Sequence, residues 1–151
     1  MPTATAADVI TCPSCATRNR VPRAHGGSPQ CGRCHAPLPW LVEAGDADFD
    51  GVTTTSSLPV FVDMWAPWCG PCKVMEPSVQ QLSRDMAGRL KVVKVDADRA
   101  PALSARFGIR GVPTLLLLDR GRVVDRRSGA LMGGALRRWV EETLSRQTAS
   151  R

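Results

Sequence analysis

The sequence predicts an α/β layer fold with a mixed central sheet flanked by helices, preceded by a small segment that needs a cross-link to order it. Three observations carry this expectation. From residue 58 onward, apolar β-branched runs alternate with stretches of helical period. The last two strand-like runs are separated by Arg120-Gly121, which turns alternation into a hairpin and the sheet from parallel to mixed. Finally, all six cysteines fall in CxxC pairs, two of them in a stretch rich in Gly, Pro, Arg and Ser.

The elements follow in order. Residues 12–39 are poor in large apolar side chains and are expected to build no core of their own. Residues 40–57 are weakly patterned. A short strand is expected at Trp40-Leu41-Val42 and an irregular helix over 46–52, since "TTTSS" is poor helix material. "LPVFVDMW" reads as a buried strand. After it the period changes: Met75, Val79, Leu82 and Met86 share one helical face, and Pro77 inside that helix should bend it. "LKVVKVD" is the next strand. "PALSARFG" is a short helix with Pro101 in its first turn and Gly108 as its stop. Two strands meet at Arg120-Gly121, and a last amphipathic helix uses Leu131, Leu136, Trp139, Val140 and Leu144. The predicted organisation is a four-cysteine segment at 1–39, an α/β domain at 40–147 and a disordered tail at 148–151.

Composition narrows the function. A chain of 151 residues, 43% hydrophobic, suits one soluble domain with a small appendage. No apolar run is long enough to cross a membrane, and the N-terminus does not read as a secretory leader. A cytoplasmic location is the default expectation, and there paired cysteines bind metal or do redox chemistry. The net charge of +6 comes from scattered arginines without interleaved aromatics, so nucleic-acid binding ranks last.

Cys12, Cys15, Cys31 and Cys34 have the spacing of a structural zinc site. Two residues between cysteines let both sulfurs of a knuckle face one ion, and two knuckles complete a tetrahedron of thiolates. Metal binding then substitutes for the missing core. Gly32 is expected to supply the backbone turn of its knuckle. Redox pairs or disulfides are the alternative for these four cysteines. His25 and His35 are expected to be surface residues rather than ligands.

Cys69 and Cys72 stand in a different setting, after a buried strand and at the start of a helix. Free N–H groups and the helix dipole stabilise a thiolate there, so Cys69 is expected to be the nucleophile. Cys72, one turn in, should lie beside it and resolve the mixed disulfide. Cys69 is expected to be the more exposed of the two. Asp63, an isolated carboxylate in the apolar run, is the expected base, with a pKa raised by burial. Lys94 on the neighbouring strand either pairs with Asp63 or faces solvent.

"WCGPC", preceded by "VDMWAP" and followed by Lys73, closely resembles the active-site segment of the thioredoxin family. "FGIRGVPTLLLL" resembles the family's second motif, and Gly129-Ala130 its third. The resemblance covers residues 58–144 and implies the thioredoxin fold and protein-disulfide reductase activity. With the four-cysteine segment, it extends to the zinc-containing bacterial thioredoxin 2 group. It implies that Cys69 attacks, that Cys72 resolves, and that Asp63 and Lys94 form a buried proton relay. It makes Pro113 a cis-proline facing the disulfide. Trp68, Gly111, Val112, Pro113, Gly129 and Ala130 would line an apolar groove in which an extended substrate pairs with the Val112 backbone. Gly70 and Pro71 shape the turn between the cysteines, and Pro71 favours a reducing poise. Trp65 would pack beneath the site. The implied partners are a flavin-dependent thioredoxin reductase using NADPH and disulfide-containing proteins; the chain itself is expected to be a monomer that holds one structural zinc and neither flavin nor nicotinamide. Residues 40–57 match the family poorly, and Met64 stands where it usually has a larger aromatic. The alternative function is a partner-binding module, or a redox-responsive zinc switch, carried on the thioredoxin domain.

Overall fold

A computed structural model describes residues 7–149. The segment 1–6 and residues 150–151 lie outside it. The central sheet has five strands, β3 (Leu41–Ala44), β4 (Val60–Trp65), β5 (Lys91–Asp96), β6 (Thr114–Asp119) and β7 (Arg122–Ser128), in the order β3-β5-β4-β6-β7. β3, β5 and β4 run parallel, and β6 and β7 are antiparallel, so the sheet is mixed as the hairpin requires. Arg120 and Gly121 both have positive φ, 55° and 79°. This is the two-residue turn whose twist matches that of the strands it joins, and glycine carries the more demanding position.

Alternation along β4 sorts side chains to the two faces. Val60, Val62 and Met64 pack with Phe49, Val52 and Leu103 from α1 (Phe49–Thr54) and α3 (Pro101–Arg106). Phe61 packs on the opposite face with Met75, Val79 and Leu82 of α2 (Gly70–Asp85) and Leu136, Trp139 and Val140 of α4 (Gly133–Ala149). Asp63 has the same parity as Phe61 and points toward the α2 face. Lys94 is its register partner on β5 and shares that direction. The helical face expected of α2 is therefore buried as a unit. Pro77 lies inside α2 and removes one ladder donor.

Several expectations need correction. The strand expected at 40–42 begins one residue later. The helix expected at 46–52 runs instead from Phe49 to Thr54. Its threonines adapt because Thr53 and Thr54 donate their hydroxyls to the carbonyls of Phe49 and Asp50 one turn back. Leu131 precedes α4 but packs against its core. Thr148 and Ala149, placed in a disordered tail from sequence, belong to α4, while residues 150–151 lie outside the described residues.

The N-terminal segment is more structured than its composition suggests. It forms an antiparallel hairpin, β1 (Ala7–Thr11) with β2 (Arg18–Pro22). It does not stand apart from the domain either. Val21, Leu38, Cys12 and Cys31 belong to the same buried cluster as Trp40, Phe49 and Val93. Lys91 joins the two parts. It is fully buried, and its ammonium donates to the Arg23 carbonyl at 2.5 Å and the Val52 carbonyl at 2.8 Å, and lies 3.9 Å from the centre of the Trp40 ring. Burial lowers its pKa to about 8, so it remains protonated at neutral pH.

Candidate functional site

β4 delivers the chain through Ala66-Pro67-Trp68 to the N-terminus of α2. Cys69 is the N-cap residue, Gly70 and Pro71 form the first positions, and Cys72 follows one turn in. Proline suits this place because its missing N–H has no partner in a first turn anyway. Cys69 and Cys72 are joined in a disulfide with Cα atoms 5.3 Å apart. The Cys72 N–H donates to Cys69 Sγ at 3.1 Å. In the reduced protein the same donor, aided by the helix dipole, stabilises negative charge on that sulfur.

The expectation that Cys69 is the more exposed of the two is not met: the residue is 2% exposed and Cys72 5%. The helix tip is covered by a loop distant in sequence. Cys69 Sγ lies 3.6 Å from the Val112 carbonyl oxygen, and Val112 and Trp65 pack against the small cluster of Ala66 and the two cysteines. The Val112-Pro113 bond is cis, as the resemblance implied. Gly111 and Val112 lie beside it in the same loop, where Thr114 donates to the Gly111 carbonyl at 2.6 Å. The Gly129 N–H binds the Pro113 carbonyl at 2.9 Å, which brings Gly129-Ala130 to the same end of the sheet. Gly129 has φ of +93°, a conformation that favours glycine. Trp68 is 70% exposed, yet its indole is anchored by a 2.9 Å hydrogen bond to Asp98. Asp98 is one residue that the sequence did not single out.

Asp63 is 1% exposed, and its Oδ1 has no hydrogen-bond partner among the described residues. Burial pushes its pKa up to about 7; Lys94 opposes this and Glu76 reinforces it. Lys94 neither pairs directly with Asp63 nor faces solvent. Its ammonium lies 2.6 Å from Glu76 Oε2 and 4.9 Å from the centre of the Trp65 ring. Glu76 is the second residue missed from sequence. A cavity of about 240 Å³, lined by Trp65, Ala66, Pro67, Cys72, Glu76 and Lys94, joins Cys72 to this ion pair.

The other four cysteines converge. The sulfurs of Cys12, Cys15, Cys31 and Cys34 all lie within 4.8 Å of one another. Cys12 and Cys34 are 3.6 Å apart, and Cys15 and Cys31 3.5 Å. A zinc tetrathiolate with Zn–S of about 2.3 Å has edges of about 3.8 Å, so the four sulfurs fit such an ion. None of the four is in a disulfide. The two knuckles are built alike. Ala16 and His35, each directly after the second cysteine, have φ of 63° and 64°. Their N–H groups bind the carbonyls of Cys12 and Cys31 at 2.9 and 3.0 Å. The turn thus falls on Ala16 and His35, and Gly32, expected to supply it, does not. Asn19 ties the knuckles together, donating to the Thr17 carbonyl and accepting from the Gly32 N–H. His25 packs edge-on against Trp40, and neither histidine joins the sulfur cluster.

The chain is similar to known proteins. Residues 40–142 match the family profile described as Thioredoxin. The chain is 39% identical over 142 residues to "Thioredoxin C-3" of Corynebacterium nephridii, covering 92% of this chain and 97% of that protein. It is 41% identical to "Thioredoxin" of Haemophilus influenzae over 102 residues, 68% of this chain and 95% of the other. It is 50% identical to "Thioredoxin 1" of Chlorobaculum tepidum over 82 residues, 54% of this chain and 81% of the other. A match of 142 residues exceeds what residues 40–151 can supply, so likeness to the first of these reaches into the cysteine-bearing segment. With a disulfide at the tip of a helix, covered by the loop that carries a cis-proline, and with both comparisons in agreement, the chain belongs to the thioredoxin family, the thiol-disulfide oxidoreductases.

Proposed function

We propose that the protein reduces disulfides in other proteins and is itself re-reduced by a flavin-dependent thioredoxin reductase drawing on NADPH. The Cys69–Cys72 disulfide at the helix tip, with a buried carboxyl on the strand that leads to it, carries the proposal. In the reduced protein the Cys69 thiolate attacks one sulfur of a substrate disulfide, and the other substrate sulfur leaves as a thiolate that takes up a proton. Cys72 then gives its proton to Asp63 and attacks Cys69 Sγ, releasing the first substrate sulfur as a thiolate, which takes up a second proton from water while Asp63 returns its own to solvent. The substrate gains two electrons and two protons, and the pair Cys69/Cys72 is oxidised. Trp68, Gly70, Pro71, Gly111, Val112, Pro113, Gly129 and Ala130 form the substrate groove in this reading, with Lys94 assisting Asp63. Insulin reduction with reductase and NADPH is the test. Cys69→Ser is expected to abolish turnover, and activity surviving that change would overturn the mechanism.

Cys12, Cys15, Cys31 and Cys34 would hold one zinc ion, whose chemistry there is structural: a closed thiolate shell cross-links a segment with little core. This reading places the protein with the zinc-containing bacterial thioredoxin 2 type. It divides the chain into a metal segment at 1–39 and a catalytic domain at 40–147, and it expects a cytoplasmic monomer. The start of the family match at residue 40 supports the division. No helix among the described residues is long and apolar enough to cross a membrane.

A second reading, that oxidation of the four cysteines ejects zinc, is favoured by the exposure of Cys34. Zinc release measured against peroxide dose decides it. Retention of zinc until the chain unfolds would sink the switch.

A further inference from the structure

The Asp63 carboxyl is buried in the sheet, with few charged groups near it. Facing it are Lys94 from β5 and Glu76 from α2. The β6 residue opposite, Leu115, is apolar. Cys72 is held in the disulfide and does not titrate in this state.

Lys94 is the register neighbour of Asp63, and both point toward α2. A flexible four-carbon stem beside a buried, partly unbonded carboxylate would ordinarily deliver its ammonium to it. Here it does not. Glu76 Oε2 holds the ammonium at 2.6 Å, while Glu76 Oε1 accepts from Gln80 at 2.9 Å, so both carboxylate oxygens are engaged and the side chain is fixed on α2. The Trp65 ring covers the ammonium from another side. The Lys94 side chain is 11% exposed and that of Glu76 34%, so the pair sits at the edge of the site, where water moderates its charge. The same pair lines the cavity that reaches Cys72.

We propose that Glu76 is a positioning residue of the redox site: it holds Lys94 on the α2 side, and so leaves the Asp63 carboxyl without a directly bonded cation. This rests on the reading of Asp63 as the base for Cys72. A carboxylate locked to an ammonium is a weak base near neutral pH, whereas one without that partner accepts a proton there. Glu76 therefore keeps the acid strength of Asp63 matched to a thiol. It acts through Lys94 and adds a smaller direct effect of its own negative charge.

The test is the titration of the Asp63 carboxyl carbon by NMR in the oxidised, full-length protein. Glu76→Gln keeps the shape and the contact with Gln80 but lets Lys94 go. The midpoint of Asp63 is expected to fall by about one pH unit. In a Lys94→Met background the same substitution should move it no more than roughly half as far, because the route through Lys94 is gone. An unmoved midpoint in Glu76→Gln would overturn the proposal. A shift equally large with and without Lys94 would overturn the positioning role. The titration needs no substrate, so it stands apart from the reductase reading. Insulin reduction that fails in the unaltered protein removes that reading alone, and an unmoved midpoint in an active reductase removes only the role of Glu76.

Discussion

Asp63 is destabilising where it stands. Its pKa of about 7 in the folded chain, against 3.8 for the ordinary carboxyl, means that the folded state holds its proton more tightly than the unfolded one. Stability therefore falls as pH rises from about 4 to about 7 and then stays level. Asp63→Asn should stabilise the protein by up to the order of 4 kcal/mol above pH 7 and by little below pH 4. Urea unfolding at pH 4 and pH 8 checks this. The same change should slow disulfide reduction roughly tenfold to a hundredfold and flatten its pH profile near neutrality. The burial of Asp63 was legible because a lone carboxylate interrupts an apolar strand. The burial of Cys69 was not, because Val112, 43 positions further on, provides the cover. Glu76 was equally hidden. On paper it is an ordinary helix charge, and only the docking of α2 on β5 makes it the partner of Lys94.

Among the elements, β4, α2, β5 and the β6–β7 hairpin announce themselves through period and turn chemistry. β1 and β2 do not. Their sequences, ADVIT and RNRVP, carry little apolar alternation, and their pairing is bracketed by the first knuckle that joins them. The helix at Phe49–Thr54 was misplaced because threonine propensity is outweighed by burial of Phe49 and Val52. Lys91 is the element-scale fastener. Lys91→Met should cost about 2–4 kcal/mol, since it leaves the carbonyls of Arg23 and Val52 without their donor. A lower urea midpoint, with faster amide exchange in β1 and β2 than in β4, would report it.

At the scale of the molecule, one buried cluster runs from Cys12 and Cys31 to Val93 and Leu116. Metal and sheet are thus expected to melt together. Metal analysis should find about one zinc per chain. Stripping it with a chelator should lower the melting temperature by roughly 10 °C and keep a single transition. An unchanged transition after complete metal removal would contradict the structural role. The mixed sheet and the catalytic pair were readable in advance. The continuity of the core was not, because Val21 and Leu38 are too few to mark a hydrophobic face until they join Trp40 and Phe49 in one cluster.

Lys91 also governs how the segment can leave. Its ammonium is dry, and three partners from three places in the chain surround it: the Arg23 carbonyl, the Val52 carbonyl and the Trp40 ring. Lifting residue 23 even slightly strips a charge of one partner before water can replace it. A half-open state is therefore expected to be costly. The segment and the sheet beneath it should let go together, as a latch does, rather than fray from one end.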